Sequence, residues 1–287
     1  MSKVNDGKVQ LSRAFSTDPV QEVKLNFAGI MKPSAIENCI DIAIKAVRRG
    51  QVFLQENQDK IPVLVSKEAR EVKIDFDFAL EKLILDELQK HSRWQILSEE
   101  SGSLEDLNKP FWVVDPLDGS LNCLRGIPFY SISIALCDNN EPILGVILDL
   151  TNGDLYYGSN SSGAWMNETP IHVSEVRAKE DAILCTGFPS SFDFHSESRN
   201  HLGSVYSNFH KVRMLGSAAL SLAYVASGRC DSYWEEKIKL WDVAAGLALV
   251  RAAGGVTFKS DLDESHNLII SAAASSSLLV GHRTSHS

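Results

Sequence analysis

The stretch Asp115-Pro116-Leu117-Asp118-Gly119-Ser120-Leu121-Asn122, set directly behind the apolar run Phe111-Trp112-Val113-Val114, constrains this chain more than any other. A short apolar run of this kind reads as a buried strand. The proline and glycine that bracket the two aspartates predict a tight turn at the strand's end, with both carboxylates aimed outward. Two anions held that close repel each other, and the usual compensation is a hard divalent cation with oxygen ligands. Magnesium fits, because it keeps several waters and needs only a few carboxylates.

Other acids join the pattern. The run Trp94 to Leu97 ends in Ser98-Glu99-Glu100, which places a third carboxylate on a neighbouring strand end. Trp241-Asp242 opens a helix of small residues, where an aspartate also suits the N-cap. Gly119-Ser120-Leu121 can open a helix whose free amides receive a phosphate.

The 287 residues allow one large or two small domains, at ~100 to 200 residues each. Residues 1–30 are polar, lack periodicity, and read as a tail or loosely docked arm. A helix is expected from Pro33-Ser34 through Ile36, Ile40, Ile44 and Val47, with Gly50 as its stop. A second carries Phe78, Leu80, Leu83, Ile84, Leu85 and Leu88, with Asp75 and Asp77 at the head, where a carboxylate suits the helix dipole. Strands at Ser131 to Leu136, Ile143 to Leu148 and Leu155 to Tyr157, parted by Asn, Asp and Gly turns, predict a mostly antiparallel sheet. Residues 31–177 thus read as an α+β domain. From residue 178 the pattern alternates: a strand at Ala182 to Cys185, a helix at Ser217 to Ala226, and a helix at Val243 to Ala253 closed by Gly254-Gly255. Residues 178–287 read as an α/β domain that completes the site.

Several function classes are excluded. With 28 basic and 37 acidic residues the chain carries a net charge of −9, so it repels nucleic-acid backbones, and no nucleic-acid partner is expected. A small anionic substrate needs metal ions or a local cradle. No apolar run approaches the ~18 residues that span a bilayer, and the first thirty residues lack the apolar core of a secretory signal. Neither membrane nor export is expected. The five cysteines form no CxxC pair, and an odd count suits a disulfide scaffold poorly, which points to a reducing cytoplasm. His195, His201 and His210 match no ligand spacing.

The motifs now on the page resemble the inositol monophosphatase family of magnesium-dependent, lithium-sensitive phosphatases. Asp115-Pro116-Leu117-Asp118-Gly119-Ser120 is preceded by Ser98-Glu99-Glu100-Ser101 and followed by Trp241-Asp242-Val243-Ala244-Ala245-Gly246. Gly163-Ala164-Trp165-Met166-Asn167 and Thr186-Gly187-Phe188-Pro189 fall between them in the family's order, and the likeness extends over residues 32–270. The resemblance implies an α/β (α+β) fold: a layered αβαβα sandwich of the inositol monophosphatase/fructose-1,6-bisphosphatase type, usually a homodimer. It also implies two or three Mg2+ ions that drive hydrolysis of a phosphate monoester, most readily myo-inositol 1-phosphate, so the expected partner is a small phosphorylated polyol or sugar.

Carried over by motif, Glu99, Asp115, Asp118 and Asp242 match the metal-binding acids, and the backbone carbonyl of Leu117 adds a ligand. Ser120 stands where the family usually has threonine, whose hydroxyl helps orient the attacking water. Serine keeps the hydroxyl and loses only the methyl that stiffens χ1. The aspartate that pairs with this hydroxyl maps to Asp77, through the spacing to Glu81-Lys82, with Asp75 as the alternative. The amides of Gly119 and Ser120 match phosphate-binding groups, and Ala218 matches the backbone that meets the substrate's hydroxyls. Glu235 matches the glutamate that hydrogen-bonds those hydroxyls, although beside Glu236 and Lys237 it also reads as a solvated surface acid. Cys123, where the family often has phenylalanine, reads as a small buried hydrophobe. Asn122 departs from the nucleotide branch, in which lysine and glutamate follow the turn.

The chemistry can also be argued from the reaction. Phosphate monoesters hydrolyse extremely slowly unaided, so a site must make a nucleophile, neutralise the equatorial oxygens and stabilise the leaving alkoxide. Paired metal ions ~4 Å apart can do all three. Competing readings are fructose-1,6-bisphosphatase, a 3′(2′),5′-bisphosphate nucleotidase and, in a different class, a catalytically idle binding or regulatory protein of the same fold. The intact set Glu99, Asp115, Asp118 and Asp242 speaks against lost activity.

Overall fold

Helix α1 (Pro33–Glu56) buries the stripe Ile36, Ile40, Ala43 and Val47. Pro33 suits its first turn, where a missing N–H costs nothing. Gly50 does not stop it, contrary to expectation; the helix runs on to Glu56. A Cβ at Gly50 would lie 2.3 Å from Ile132 Cδ1, so the glycine lets α1 press against the sheet. That close packing offsets the ~1 kcal/mol propensity cost of glycine in a helix. The computed structural model describes residues 32–57, 59–60, 62–68, 71–100, 106, 108–188, 195–260 and 267–281. The segment 1–30, Ser101 and Pro189 lie outside these.

Strands β1 (Leu64–Glu68) and β2 (Glu71–Ile74) pair antiparallel, and β2 runs straight into α2 (Asp75–His91). The apolar spacing expected there holds, with Phe76, Leu80, Ile84 and Leu88 buried. Then come β3 (Gln95–Ser98), β4 (Phe111–Asp118), the short α3 (Ser120–Arg125), β5 (Ser131–Asp138), β6 (Glu141–Asp149), β7 (Leu155–Ser159), β8 (Gly163–Met166) and β9 (Thr169–Ile171). These seven strands form one sheet in chain order, in which only β3 and β4 pair parallel. Every residue of β4 and β5 is buried, because helices cover both faces.

The second half supplies β10 (Ile183–Thr186), α4 (Ser196–Tyr206), β11 (Lys211–Arg213), α5 (Ala218–Ala226), β12 (Ser232–Lys239), α6 (Leu240–Ala252), β13 (Val256–Lys259) and β14 (Asn267–Ala273). Its five strands form a mixed sheet in the order β11-β10-β12-β14-β13, with β10 parallel to both β11 and β12. Helix α6 is apolar on all sides and buried along its body, as a helix in a middle layer must be. Small residues set its approach: a Cβ at Gly145 would fall 2.2 Å from Ala245 O, and one at Gly246 would fall 2.3 Å from Leu222 Cβ. Phe111, Val113 and Ile147 of the first sheet, Leu222 and Leu247 of α5 and α6, and Tyr233 and Ile270 of the second sheet share one core. On the far side of the second sheet Leu184 and Trp234 pack with Leu202 of α4 and Phe209. The layers are therefore α1/α2, sheet, α5/α6, sheet, α4, the αβαβα sandwich.

All five cysteines are free thiols. Among the described residues no helix is long and apolar enough to cross a membrane.

Candidate active site

The tight turn expected after Val114 is built differently. Strand β4 continues through Pro116 and Leu117 to Asp118, with a register shift against β5 between Asp115 and Asp118. This irregularity puts both aspartates at the inner end of the sheet, where Asp115 is 1% exposed and Asp118 is 8% exposed. Gly119 then adopts φ +93°, a left-handed conformation natural only to glycine. A Cβ there would also crowd Phe129 O at 3.0 Å and Gly216 O at 3.2 Å. Only glycine can make this corner.

The corner delivers Ser120 to the first position of α3. Its Oγ lies 2.7 Å from Asp77 Oδ1 and 2.9 Å from the Leu117 carbonyl oxygen. Asp77 sits in the first turn of α2, where its other oxygen accepts the Ile74 N–H at 2.6 Å. Asp75 is exposed and turned away, accepting the N–H of Val63 at 2.8 Å. The structure therefore brings Asp77, not Asp75, to Ser120.

Glu99 follows β3 directly, and its N–H donates to Val114 O at 3.3 Å, which holds it beside β4. Asp115 accepts the Leu117 N–H at 3.0 Å. Asp118 crosses to the second half of the chain, where it accepts the Ser217 hydroxyl at 2.5 Å, the Ala219 N–H at 2.8 Å and the Ala218 N–H at 3.3 Å. Asp242, buried in the first turn of α6, reaches back to the Lys239 N–H at 3.2 Å. Its capping role and its place among the acids coexist.

Burial, then mutual repulsion, makes these carboxylates hard to ionise. Burial raises Asp115 well above the usual carboxylate range, and the charges of Glu99, Asp118 and Asp242 add to it. Asp242 is raised likewise by burial, Glu99 and Asp118. Glu99 is pushed up to about 8, by burial first and then Glu100 and Asp77. For Asp118 burial outweighs its hydrogen bonds and lifts it to about 6. Hard oxygen donors gathered in a poorly solvated place fit divalent cations, whose charge favours the ionised form of each acid. Hydrogen bonds to the protein keep the acids from closing on one another. Among the described residues no three acidic, histidine or cysteine side chains converge tightly enough to hold an ion as they stand.

Beyond these acids a cavity of about 290 Å³ is bordered by Asp118, Asp242, Gly187, Ala218, Ser221 and Glu235. Glu235 is 8% exposed, which rules out the solvated surface acid. It accepts the Tyr233 hydroxyl at 2.5 Å, and a Cβ on Gly187 would lie 2.6 Å from its Oε2. Burial raises the Glu235 carboxyl to about 7.

Four contributors escaped the sequence reading. Ser217 holds Asp118 and also caps α5 by accepting the Leu220 N–H at 3.2 Å, a role that serine before a small-residue helix signals. Tyr233 stands two residues before Glu235 and so shares its strand face, which period-two alternation reveals. Asn122 donates to the carbonyls of Phe129 and Leu215, each at 2.8 Å, tying α3 to both halves. Lys73 pairs with Glu100 at 2.6 Å, and no local signal marks that partnership. Burial pushes the Cys123 thiol up to about 11, consistent with a packing role. His201 sits 3.6 Å from Glu236 and edge-on to Trp234.

The sequence profile of the inositol monophosphatase family matches residues 35–285. The chain belongs to the inositol monophosphatase family. Among its relatives is the protein named Nus factor SuhB of Xylella fastidiosa, 40% identical over 75% of this chain and 80% of that one. The inositol-1-monophosphatase of Mesorhizobium japonicum is 39% identical over 67% of this chain and 73% of its own. In three dimensions the chain resembles the extragenic suppressor protein suhB of Bartonella henselae, with a TM-score of 0.73 and 33% identity over 82% of this chain and 93% of that one. Within the family, Glu99, Asp115, Asp118 and Asp242 stand on the acids the motif designates, although β3, β4 and α6 bring them from distant parts of the sequence.

Proposed function

We propose that this protein hydrolyses a phosphate monoester with Mg2+ as cofactor, and that its substrate is myo-inositol 1-phosphate or a close polyol or sugar phosphate. The observation that carries this reading is the buried set Glu99, Asp115, Asp118 and Asp242 beside the Ser120–Asp77 hydrogen bond of 2.7 Å. Glu99, Asp115, Asp118, Asp242 and the Leu117 carbonyl would hold the cations, two or three in number. Bound there, magnesium supplies Lewis acidity toward the phosphate and lowers the pKa of water.

The chain's own groups do the rest. The Gly119 and Ser120 N–H groups receive phosphate oxygens. Ser120 donates its proton to Asp77 Oδ1, which turns an oxygen lone pair toward the attacking water. As that water's oxygen bonds to phosphorus, its proton passes to Ser120 Oγ while the hydroxyl's own proton moves to Asp77, which burial lifts to about 6. The bond from phosphorus to the ester oxygen breaks, and Ala218 and Glu235 hold the departing alcohol through its hydroxyls.

The test is phosphate release from myo-inositol 1-phosphate, fructose 1,6-bisphosphate and 3′-phosphoadenosine 5′-phosphate, with magnesium, with excess EDTA and with lithium. Fast release from the inositol ester, lost in EDTA and inhibited by lithium, is expected. Turnover that survives excess EDTA would sink the metal mechanism. A second reading, a binding protein of the same fold, draws on relatives that carry the name Nus factor SuhB. Absence of release from all three esters in magnesium would favour it.

Glu235→Gln tests the substrate pocket. It keeps size but weakens a charge-assisted contact worth ~1.5 to 3 kcal/mol in a shielded site. The loss of kcat/KM should be about tenfold or more for inositol 1-phosphate and small for an activated aryl phosphate without hydroxyls. Equal losses for the two substrates would reject the assignment.

A further inference from the structure

Strand β12 carries an irregularity next to the cavity. Its ladder with β14 is regular from Ser232 to Glu236 and then shifts, so that Glu236 faces Ile269 while Ile238 faces Leu268. Lys237 is the extra residue. Its φ of +58° lies in the left-handed region that glycine and asparagine tolerate and a lysine does not favour.

A bulge re-aims the side chains that follow it. Tyr233 and Ile238 both join the core between the sheets, while Trp234 joins the core on the far side. Without the extra residue, alternation would turn Ile238 away from Tyr233. That accounts for a bulge, but not for a lysine at its strained position. Lys237 is exposed, borders the same cavity as Asp118, Glu235 and Asp242, and pairs with no acid among the described residues. Lys239 borders the cavity as well. On a chain of net charge −9, these are the cations that an anion entering this cavity meets.

We infer that Lys237, with Lys239 on the same strand, forms a subsite for a second anionic group, so that the favoured substrates are polyol or sugar phosphate monoesters bearing a further phosphate or carboxylate. The inference rests on the phosphatase reading and narrows its substrate class. Strain at Lys237 is then the cost of placing an ammonium where a strand residue of regular register would not put it.

The experiment compares myo-inositol 1-phosphate with myo-inositol 1,4-bisphosphate in wild type, Lys237→Gly and Lys237→Arg. Glycine relieves the backbone while removing the charge, so folding is preserved; arginine keeps the charge. The ratio of kcat/KM, bisphosphate over monophosphate, should fall about fivefold in Lys237→Gly, as befits an exposed ion pair. The fall should reside in KM, be absent in Lys237→Arg, and shrink in high salt. An unchanged ratio in Lys237→Gly, or the same fall in Lys237→Arg, overturns the subsite. If wild type releases phosphate from neither ester, the phosphatase reading fails. The same comparison is then made by calorimetric binding of the two esters in magnesium, where an unchanged Kd ratio rejects the subsite by itself.

Discussion

Asp115→Asn is expected to abolish magnesium-dependent turnover while leaving the metal-free protein at least as stable as wild type. The side chain is 1% exposed, and Glu99, Asp118 and Asp242 oppose its charge. Its one protein hydrogen bond, from the Leu117 N–H at 3.0 Å, can be kept by the asparagine carbonyl oxygen. Removing the charge relieves repulsion without a change of volume, and a relief of ~1 kcal/mol raises Tm by about 2 °C or more in a chain of this size. With metal the sign reverses. A cation at one hundred times its Kd stabilises wild type by ~2.7 kcal/mol, and the variant should lose most of that gain. Catalysis should fall by about 10³-fold, the equivalent of ~4 kcal/mol of transition-state stabilisation. Thermal denaturation with and without magnesium, together with kcat/KM, checks all three. Near wild-type turnover with an unchanged magnesium dependence would show that Asp115 is not a ligand.

Ser120→Ala is expected to lower kcat by about 10² to 10³-fold with little change in KM, the range for loss of a positioned proton-transfer group. Alanine preserves the first position of α3 and leaves both backbone amides of the corner in place, so phosphate binding should survive. What disappears is the hydroxyl 2.7 Å from Asp77. Ser120→Thr keeps the hydroxyl and adds a methyl that restricts χ1, and should retain most activity. If alanine and threonine behave alike in steady-state kinetics, the Ser120–Asp77 pair does not handle the proton.

Much of the site was legible because each acid ends or begins a regular element. Val114 to Asp118, Ser98 to Glu100 and Trp241-Asp242 each mark a change in hydrophobic pattern, and such changes can be read locally. Asp77 was readable as the third residue of an amphipathic helix. Other features depended on distant partners. Gly50 resembles a helix stop by every local rule, yet Ile132, far along the chain, decides that it is a contact surface. Glu235 beside Glu236 and Lys237 resembles a charged surface, yet Tyr233, Gly187 and the bulge at Lys237 bury it. Pro116 resembles a turn-maker, but the register shift against β5 absorbs it within a strand. The errors share one cause: a local signal was outvoted by packing across the layers.

Helix α6 offers Asp242 from its first turn while its body is pinned against Gly145 of the first sheet and Leu222 of α5. During translation, the ribosome delivers Glu99, Asp115 and Asp118 long before it delivers α6. A nascent or truncated chain thus carries three of the four acids but neither the fourth nor the wedge that seats it. Activity is thereby withheld until synthesis has passed α6 and the middle layer has closed, and phosphate release doubles as a signal of completed assembly.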